Sequence, residues 1–353
     1  MIVKNLLVVG VVAGFASAAV AEDGKGSWSV GGRVRVDAEQ STTETTVSGV
    51  TTTLKSSSVS LNRAQFSLTG TRDKDSLGIV YYADSNELYS ATISHKFSDM
   101  VTAHFGRMKL LAQSWENSYE GIDQHMMSWA GMHAPSNSDG ARVDLAFGDN
   151  KVSVQAVEGV NSFSMDNTTS QFNKSGGLTT GIQYTGEINK MIKPIVSYTM
   201  VRTTSTKGTA TTGTTTANVN YGNGYQTQLG AGVQVAVSGA TVDLEYDSIK
   251  MHKQKNVTGA KDQDLGSIIA QVKYPVGMTT PFLKLASENW KKGADKNVGD
   301  MTHMGLILGV EHALDSSCRL HAFYMNDSKT TKGKSKDDKM VTTGFNFGVT
   351  ASM

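Results

Sequence analysis

Five basic residues in the first third of the chain lie on stretches where apolar and polar residues alternate: Arg33, Arg35, Arg63, Lys96 and Arg107. In a strand, alternate residues point to the same face, so each side chain belongs to the polar face of its stretch. Rows of charge along a narrow aqueous passage select among ions and orient dipolar solutes. The chemistry predicted for these residues is therefore electrostatic selection of solutes. The alternative is that they are ordinary solvated surface charges.

One segment, residues 109–140, interrupts the alternation and has a helix-like period instead. Its apolar side chains share one side of a helical wheel: Leu111, Trp115, Tyr119, Ile122, Met126 and Trp129. Three carboxylates lie on the opposite flank: Glu116, Glu120 and Asp123. Gly121 divides the segment, so we expect one or two short helices. We predict that the segment folds into the bore of a barrel and narrows it, with its carboxylates facing Arg35 and Arg63.

A second set of carboxylates alternates along a later strand-like stretch: Asp243, Glu245 and Asp247. Hard cations take oxygen ligands of this kind, which makes the three residues a candidate metal site. The carbonyl ligands and glycine loop of a calcium site are missing, so pore lining is the favoured interpretation. His303 and His321 are also predicted to be polar lumen residues, because no closely spaced ligand pair accompanies them. We therefore assign no metal and no cofactor.

The sequence carries none of the short motifs that mark common enzyme classes. A G-x-S-x-G nucleophile elbow and a phosphate-binding P-loop are absent. Gly222 and Gly224 have the spacing of a dinucleotide-binding motif, but its third glycine is missing. We therefore predict that the chain is not an enzyme, although sequence alone leaves open a catalytic pair assembled across strands.

The first 21 residues have the features of a cleaved secretory signal peptide. Lys4 supplies the positive charge, residues 6–15 form the apolar centre, and residues 19–21 form a small-residue cleavage site. Removing Lys4 takes the formal net charge from +1 to 0, which leaves no basic excess for binding nucleic acid. The single cysteine, Cys318, excludes an internal disulfide framework in an exported protein.

Residues 22–353 alternate apolar and polar side chains in about sixteen stretches. No run of about 20 apolar residues follows the signal peptide. Short connections alternate with longer ones, which a soluble β-sandwich has no reason to do. We therefore predict an all-β, antiparallel up-and-down transmembrane β-barrel in contact with outer-membrane lipid. The polar tract 39–58 is predicted to connect two strands, and the Thr/Gly-rich tract 203–224 to be a mobile surface loop.

Three stretches carry a family resemblance. They are GSWSVGGRVRVDAE from residue 26, SVSLNRAQFSLTGTRDKDSLGIVYYADSNELYSATISHKFSDMVTAHFGR from residue 58, and the terminal TTGFNFGVTASM. Together they resemble the Gram-negative general porins. In that family a strand ending in Gly-Arg, here Gly106-Arg107, leads into a third loop that folds inward. The resemblance implies a sixteen-stranded outer-membrane barrel, a homotrimer, and passive diffusion of small hydrophilic solutes and ions through each subunit.

Two features depart from the pattern of that family. General porins usually end in an aromatic residue, whereas this chain ends in Met353, on the same predicted face as Phe345 and Phe347. The connection around Asn86 is too short to be the long second loop with which some porins hold a neighbouring subunit. Two alternatives to a general diffusion channel stay open. One is a substrate-selective anion channel, and the other is a structural or adhesive barrel with a closed lumen.

Overall fold

The structure is a computed structural model that describes residues 26–111, 137–158, 178–203, 206–212, 215–221, 224–252, 263–291, 300–332 and 337–353. Its strands, in chain order, are β1 (Gly26–Val47), β2 (Val50–Arg72), β3 (Asp75–Tyr82), β4 (Glu87–Lys96), β5 (Val101–Lys109), β6 (Asn137–Phe147), β7 (Asn150–Glu158), β8 (Leu178–Thr185), β9 (Ile192–Thr203), β10 (Thr206–Thr212), β11 (Thr215–Tyr221), β12 (Gly224–Val237), β13 (Ala240–His252), β14 (Gln263–Lys273), β15 (Thr279–Lys291), β16 (Met301–Ala313), β17 (Cys318–Thr331) and β18 (Asp338–Ser352). Within the described ranges, no helix has the length and apolar character needed to cross a membrane. The predicted signal peptide, residues 1–21, lies outside the described residues.

Sixteen of the strands form one closed antiparallel barrel, which confirms the predicted up-and-down fold. Each strand from β1 to β9 pairs with the next, β9 pairs with β12, and β12 to β18 continue in order. The ring closes where residues 33–46 of β1 pair with residues 339–352 of β18. Two backbone hydrogen bonds between Gly32 and Met353, of 3.2 and 3.0 Å, complete this seam.

Strand β13 shows how the wall divides its side chains between two faces. Leu244 and Tyr246 are 49% and 44% exposed, whereas Asp243, Glu245 and Asp247 are at most 4% exposed. Apolar side chains on the outside are what contact with lipid requires. The apolar residues therefore point outward and the carboxylates point into the barrel, with the period of two that the sequence predicts.

The long connections occur at the outer end of the barrel, where β1 ends, although the β1–β2 and β3–β4 connections there span only two and four residues. At the opposite end, where β1 begins and β18 ends and which is called the inner end here, the strands are joined by short turns. The β12–β13 turn, for example, has positive φ at both Ser238 (49°) and Gly239 (85°), as tight hairpin turns require. At the outer end, the third connection joins β5 to β6 and spans residues 110–136. It is slightly shorter than the predicted 109–140 segment, because β5 includes Lys109 and β6 already begins at Asn137.

The polar tract 39–58 is the outer half of a long β1–β2 hairpin and not an irregular connection. Both strands continue without a break to a tight turn at Ser48-Gly49. Cross-strand hydroxyl pairs join them, as where Ser41 Oγ lies 2.8 Å from Ser56 Oγ. Such pairs, with β-branched threonines, stabilise strands that have no apolar alternation, so a prediction from hydropathy misses them.

The Thr/Gly-rich tract 203–224, predicted to be a loop, contains a two-stranded antiparallel sheet formed by β10 and β11. The register runs from Thr206 opposite Tyr221 to Thr212 opposite Thr215. Threonine is β-branched and favours extended backbone, a propensity that an argument from low complexity leaves out.

The inner face also carries an apolar patch that the sequence does not predict. Its residues lie on β14 to β17: Ile269, Phe282, Ala286, Ile307, Phe323 and Met325. Gly309 of β16 lies between Phe282 and Phe323 in the register. A Cβ on Gly309 would be 2.5 Å from Phe282 Cζ and 2.5 Å from Phe323 Cβ. The glycine therefore leaves room for the two aromatic side chains to pack at this point.

Replacing Gly309 with alanine is expected to destabilise the barrel by about 1–3 kcal/mol, because an added methyl group in a packed region forces its neighbours apart. Gly78→Ala is the matched control. It adds the same group on β3, where the nearest atom, Thr92 Oγ1, would be 3.5 Å away. Urea-unfolding midpoints in detergent compare both variants with the wild type. Equal midpoints for the two variants would contradict the packing role of Gly309.

Candidate functional site

Three of the five predicted basic residues lie together on the inner wall where β1 and β2 pair. Arg35 is directly opposite Arg63, and Arg33 is opposite Gln65 at the next inward position. A β-bulge at Asn62 shifts the register immediately beyond this pair. Arg33, Arg35 and Arg63 are called the basic wall below.

Asp37 holds the guanidinium of Arg35 in place. Arg35 Nε donates to Asp37 Oδ1 at 3.0 Å, and Arg35 Nη2 lies 2.7 Å from Asp37 Oδ2. Asn62 Nδ2 donates to the same carboxylate, and His321 Nε2 lies 2.9 Å from Asp37 Oδ1. Arg35 and Asp37 are only 2% and 1% exposed, so this is a buried ion pair with additional donors. These four residues are called the Asp37 cluster.

A glycine makes this cluster sterically feasible. Asp37 is on β1 and His321 is on β17, and the strand between them, β18, places Gly348 opposite both. A Cβ at Gly348 would overlap the Asp37 carboxylate and the His321 ring. The ion pair therefore crosses an intervening strand because that strand has no side chain at the crossing point.

Arg63 is held by aromatic side chains. Its Nη1 donates to Tyr82 Oη at 2.7 Å, and its Cζ lies 4.6 Å from the centroid of the Tyr82 ring. Tyr82 stacks on Tyr89, with ring centroids 4.5 Å apart. A cation over an aromatic face is attracted by the ring quadrupole. Neither tyrosine is predicted from the sequence, where the only signal is their place on either side of the β3–β4 connection, residues 83–86.

Lys96 lies away from the basic wall, at the end of β4 beside the short β4–β5 turn. Its Nζ is 2.7 Å from Asp99 Oδ1, and both side chains are exposed. The hydrogen bond from Lys96, together with its charge, lowers the pKa of Asp99 from its ordinary value. The pair therefore contributes stability above the ordinary carboxyl pKa, and this contribution is lost as the pH falls through the lowered value.

Arg107 also lies outside the basic wall, near the outer end of β5. Its Nε donates a hydrogen bond of 2.8 Å to the carbonyl oxygen of Leu88. Its guanidinium is 3.8 Å from a Glu87 carboxylate oxygen and 4.0 Å from an Asp139 carboxylate oxygen. Arg107 therefore joins β4, β5 and β6, and its place in a constriction stays a prediction.

The start of the third connection turns into the barrel. Leu111 N donates to Gln155 Oε1 at 3.1 Å, and Gln155 Nε2 donates to the carbonyl oxygen of Lys109 at 2.9 Å. Gln183 Nε2 donates to the carbonyl oxygen of Leu111 at 3.1 Å. Gln155 and Gln183 are on β7 and β8, so the chain passes β6 and contacts the inner wall beyond it. The predicted constriction residues Glu116, Glu120 and Asp123 lie outside the described residues.

The three carboxylates of β13, called the acidic row below, line the inner wall. Asp243, Glu245 and Asp247 are all buried on the inward face. Gln234 Nε2 donates to Asp243 Oδ1 at 2.8 Å across the β12–β13 pair. Among the described residues, no three His, Cys, Asp or Glu side chains are grouped so as to hold a metal ion. The geometry therefore gives the acidic row no metal-binding arrangement.

The two histidines named in the sequence analysis lie on the inner wall in separate ion-pair clusters. His321 belongs to the Asp37 cluster. His303 lies between two carboxylates: its Nδ1 is 3.1 Å from Glu288 Oε2, and its Nε2 contacts Asp327. These contacts join β15, β16 and β17. Both histidines are therefore partners of carboxylates, which the spacing along the sequence did not show.

A further inward cluster on β5 to β7 centres on Asp144. Arg142 Nε lies 3.0 Å from Asp144 Oδ1, His104 Nε2 lies 3.2 Å from Asp144 Oδ2, and Lys151 Nζ lies 3.7 Å from the same oxygen. Arg142 and Asp144 are visible in the sequence as the polar face of β6. The partners from β5 and β7, His104 and Lys151, cannot be identified from the sequence, because these contacts depend on the register of both neighbouring strands.

The comparison with protein families gives a result that agrees with this architecture. A family model described as Gram-negative porin matches residues 6–332, which is most of the chain. The chain belongs to the Gram-negative porins. A comparison with curated proteins finds no match. This porin is thus an outer-membrane channel, formed by a sixteen-stranded barrel with charged clusters along its inner wall.

Solved structures share the fold of this porin at low sequence identity. The outer membrane channel DcaP of Acinetobacter baumannii superposes with a TM-score of 0.68 at 12% identity, over 95% of this chain and 100% of that one. An anion-selective porin from Comamonas acidovorans gives a TM-score of 0.62 at 13% identity, over 93% and 100%. OmpT of Vibrio cholerae, in its trimer form, gives 0.62 at 13% identity, over 93% and 99%.

Replacing Asp37 with asparagine is expected to destabilise the barrel by about 3–5 kcal/mol, because the buried charge of Arg35 loses its counter-charge. The double variant Arg35→Gln/Asp37→Asn removes both charges and should recover most of the loss. Lys96→Gln breaks an exposed pair and serves as the control, with little change expected. Urea-unfolding midpoints in detergent measure all three. Wild-type stability in Asp37→Asn would show that the Asp37 cluster does not hold the wall.

Proposed function

We propose that this porin is a passive, water-filled channel for small hydrophilic solutes and ions, narrowed by the segment 109–140. The observation that carries the proposal is the inward turn at Leu111, whose backbone is hydrogen-bonded to Gln155 and Gln183 of the inner wall. A connection that enters the barrel at its first residues is placed to reduce the width of the bore. Diffusion through this channel needs no catalytic step and no cofactor.

The basic wall supplies positive charge at the narrowed level in this proposal. Arg33, Arg35 and Arg63 supply this charge, and the ion pair with Asp37 fixes the position of Arg35. The carboxylates assigned to the opposite side are those of the inserted segment, Glu116, Glu120 and Asp123. Opposed charges across an aperture order water and orient dipolar solutes. In the same proposal, Lys96 adds positive charge toward the inner end of this part of the wall, and Arg107 adds it toward the outer end.

A second candidate function is a substrate-selective anion channel. The basic wall favours it, since three arginines converge on one patch of the inner face. The shared fold with the anion-selective porin of Comamonas acidovorans is consistent with it. In this alternative the basic wall binds an anion long enough to saturate transport, whereas a general channel does not saturate.

Liposomes containing the purified porin are expected to swell in arabinose, because a water-filled bore admits small uncharged solutes. Single-channel conductance in planar bilayers is expected to rise in proportion to the KCl concentration. Liposomes without protein are the control. Saturation or block by anions at low concentration would favour the selective anion channel, and no swelling at all would favour a closed, structural barrel.

The narrowing is tested separately by exchanging residues 115–131 for a short glycine–serine linker. If the segment narrows the bore, the variant admits larger sugars than the wild type and conducts more current per channel. An unchanged size limit would place the segment away from the aperture while leaving the diffusion channel in place.

We also infer that this porin is a homotrimer, supported by the fold shared with the trimer form of Vibrio cholerae OmpT. The β3–β4 connection, residues 83–86, is short, so contacts between subunits would come from the barrel wall and not from a second-loop latch. Light scattering after gel filtration in detergent is expected to give about three times the protein mass of a heat-denatured sample. A mass equal to one chain would contradict the trimer.

A further inference from the structure

The inner wall of the barrel is not covered to the same extent all the way round. Inward side chains of β7 and β13 are buried, as at Gln155 and Glu245. On β2, β3 and β4, by contrast, Arg63, Tyr82 and Tyr89 are only half-buried. A side chain of the inner wall that keeps part of its surface exposed borders open space in the bore. Solutes that enter the barrel can therefore reach these three side chains.

Two β-bulges flank this part of the wall. One is the bulge at Asn62 in β2, and the other is at Tyr89 in β4, which has no partner in the β3–β4 register. A bulge interrupts the alternation of side chains and re-aims the residues next to it. Arg63 follows the first bulge and Tyr89 lies in the second, and both contact Tyr82 of the strand between them. The pairing is therefore irregular on both sides of Tyr82, where the three side chains meet.

Arg63 has hydrogen-bond donors left for a ligand. Among the described residues, the only hydrogen bond of its side chain runs from Nη1 to Tyr82 Oη, at 2.7 Å. The other N–H groups of a guanidinium lie in the same plane, in a fork that fits the two oxygens of a carboxylate. Arg63 is therefore held by one tyrosine and can still pair with an anion.

The two carboxylates at the β3–β4 connection have other partners. Asp84 Oδ1 accepts a hydrogen bond of 3.1 Å from the backbone N–H of Ala64. Glu87, at the start of β4, lies 3.8 Å from the Arg107 guanidinium. Neither of them is paired with Arg63, so the positive charge of Arg63 can act on an anionic ligand.

The two tyrosines supply a flat aromatic surface beside the guanidinium. The Tyr82 and Tyr89 ring centroids are 4.5 Å apart and the ring planes differ by 24°, so the rings are stacked. Arg63 Cζ lies 4.6 Å from the Tyr82 centroid. Aromatic rings pack against other planar rings in stacked or edge-to-face arrangements, which favours planar groups over puckered aliphatic ones. A cation and an aromatic surface therefore lie within the reach of one small molecule.

We propose that Arg63, Tyr82 and Tyr89 form a binding site for small aromatic carboxylates, called the planar-carboxylate site below. The guanidinium of Arg63 pairs with the carboxylate of the solute, and the tyrosine rings pack against its flat ring. This inference rests on the diffusion channel proposed above and names the class of anion that the bore retains. An aliphatic carboxylate makes only the first of these contacts, and an uncharged sugar lacks it.

Block of the single-channel chloride current in planar bilayers tests the planar-carboxylate site in the wild type. Benzoate is compared with cyclohexanecarboxylate, which carries the same charge on a ring of similar size that is neither flat nor aromatic. A solute that occupies the site hinders the passage of chloride and lowers the current. The aromatic contact is expected to make the half-blocking concentration of benzoate about three- to tenfold lower than that of cyclohexanecarboxylate.

Substitutions separate the aromatic contact from the charge. Tyr89→Leu keeps an apolar side chain but removes the ring, so benzoate and cyclohexanecarboxylate should then block at about the same concentration. Tyr89→Phe keeps the ring and should retain the preference for benzoate. Arg63→Gln should raise the half-blocking concentration of both carboxylates by about tenfold. Tyr246→Leu is the matched control, since it removes a tyrosine from the lipid-facing side of β13 and should behave as the wild type.

The planar-carboxylate site and the diffusion channel fail in different ways. If the wild type conducts but the two carboxylates block equally well, the site is overturned and the channel stands. A preference for benzoate that survives in Tyr89→Leu, or is lost equally in Tyr246→Leu, would also overturn the site. If the wild type forms no conducting channel, the diffusion channel fails and this inference fails with it. Single-channel currents come only from inserted protein, so a variant that inserts poorly still gives a half-blocking concentration.

Discussion

Closure of the sheet is the constraint on which the rest of the structure depends. Within a bilayer, each backbone N–H and C=O group needs a partner inside the protein, and a barrel of strands provides one only when its first and last strands pair. Here β1 meets β18 along residues 33–46. Once the ring is closed, the period of two sends alternate side chains to lipid and to the bore. The carboxylates of a stretch such as Asp243 to Asp247 then point to the inner face, and no further structural element is needed to place them there.

Features that arise from local alternation can be predicted from the sequence, whereas those that arise from contacts between distant strands cannot. The sixteen strands, the inward direction of Arg35 and Arg63, and the outward direction of Leu244 all result from a period of two. The Asp37 cluster does not result from this period, because it joins residues from opposite ends of the chain that meet only when the ring closes. The hairpin at 39–58 was missed for another reason, since hydroxyl pairs stabilise strands that hydropathy does not mark.

The placement of charge around the bore is a property of the register. Lys96 and Arg107 have the residue types of a selectivity region, yet their strands carry them to the inner and outer ends of the wall. Arg35 and Arg63 lie opposite each other only because the β1–β2 register pairs them. A slip of one residue in any of these pairs would turn the affected side chains to lipid. The inner apolar patch around Gly309 and the ion-paired clusters oppose such slips by fixing neighbouring strands against each other.

The contact between His321 and Asp37 across Gly348 depends on the order in which the chain is synthesised. Arg35 and Asp37 leave the ribosome early, whereas His321 and Gly348 belong to the last two strands. The histidine reaches Asp37 only across Gly348, so this contact forms after the C-terminal strands have joined the first. In a chain that lacks its final strand, Arg35 can still pair with Asp37, but the seam beside them is open. The contact between His321 and Asp37 therefore exists only in a barrel whose last two strands have joined the first.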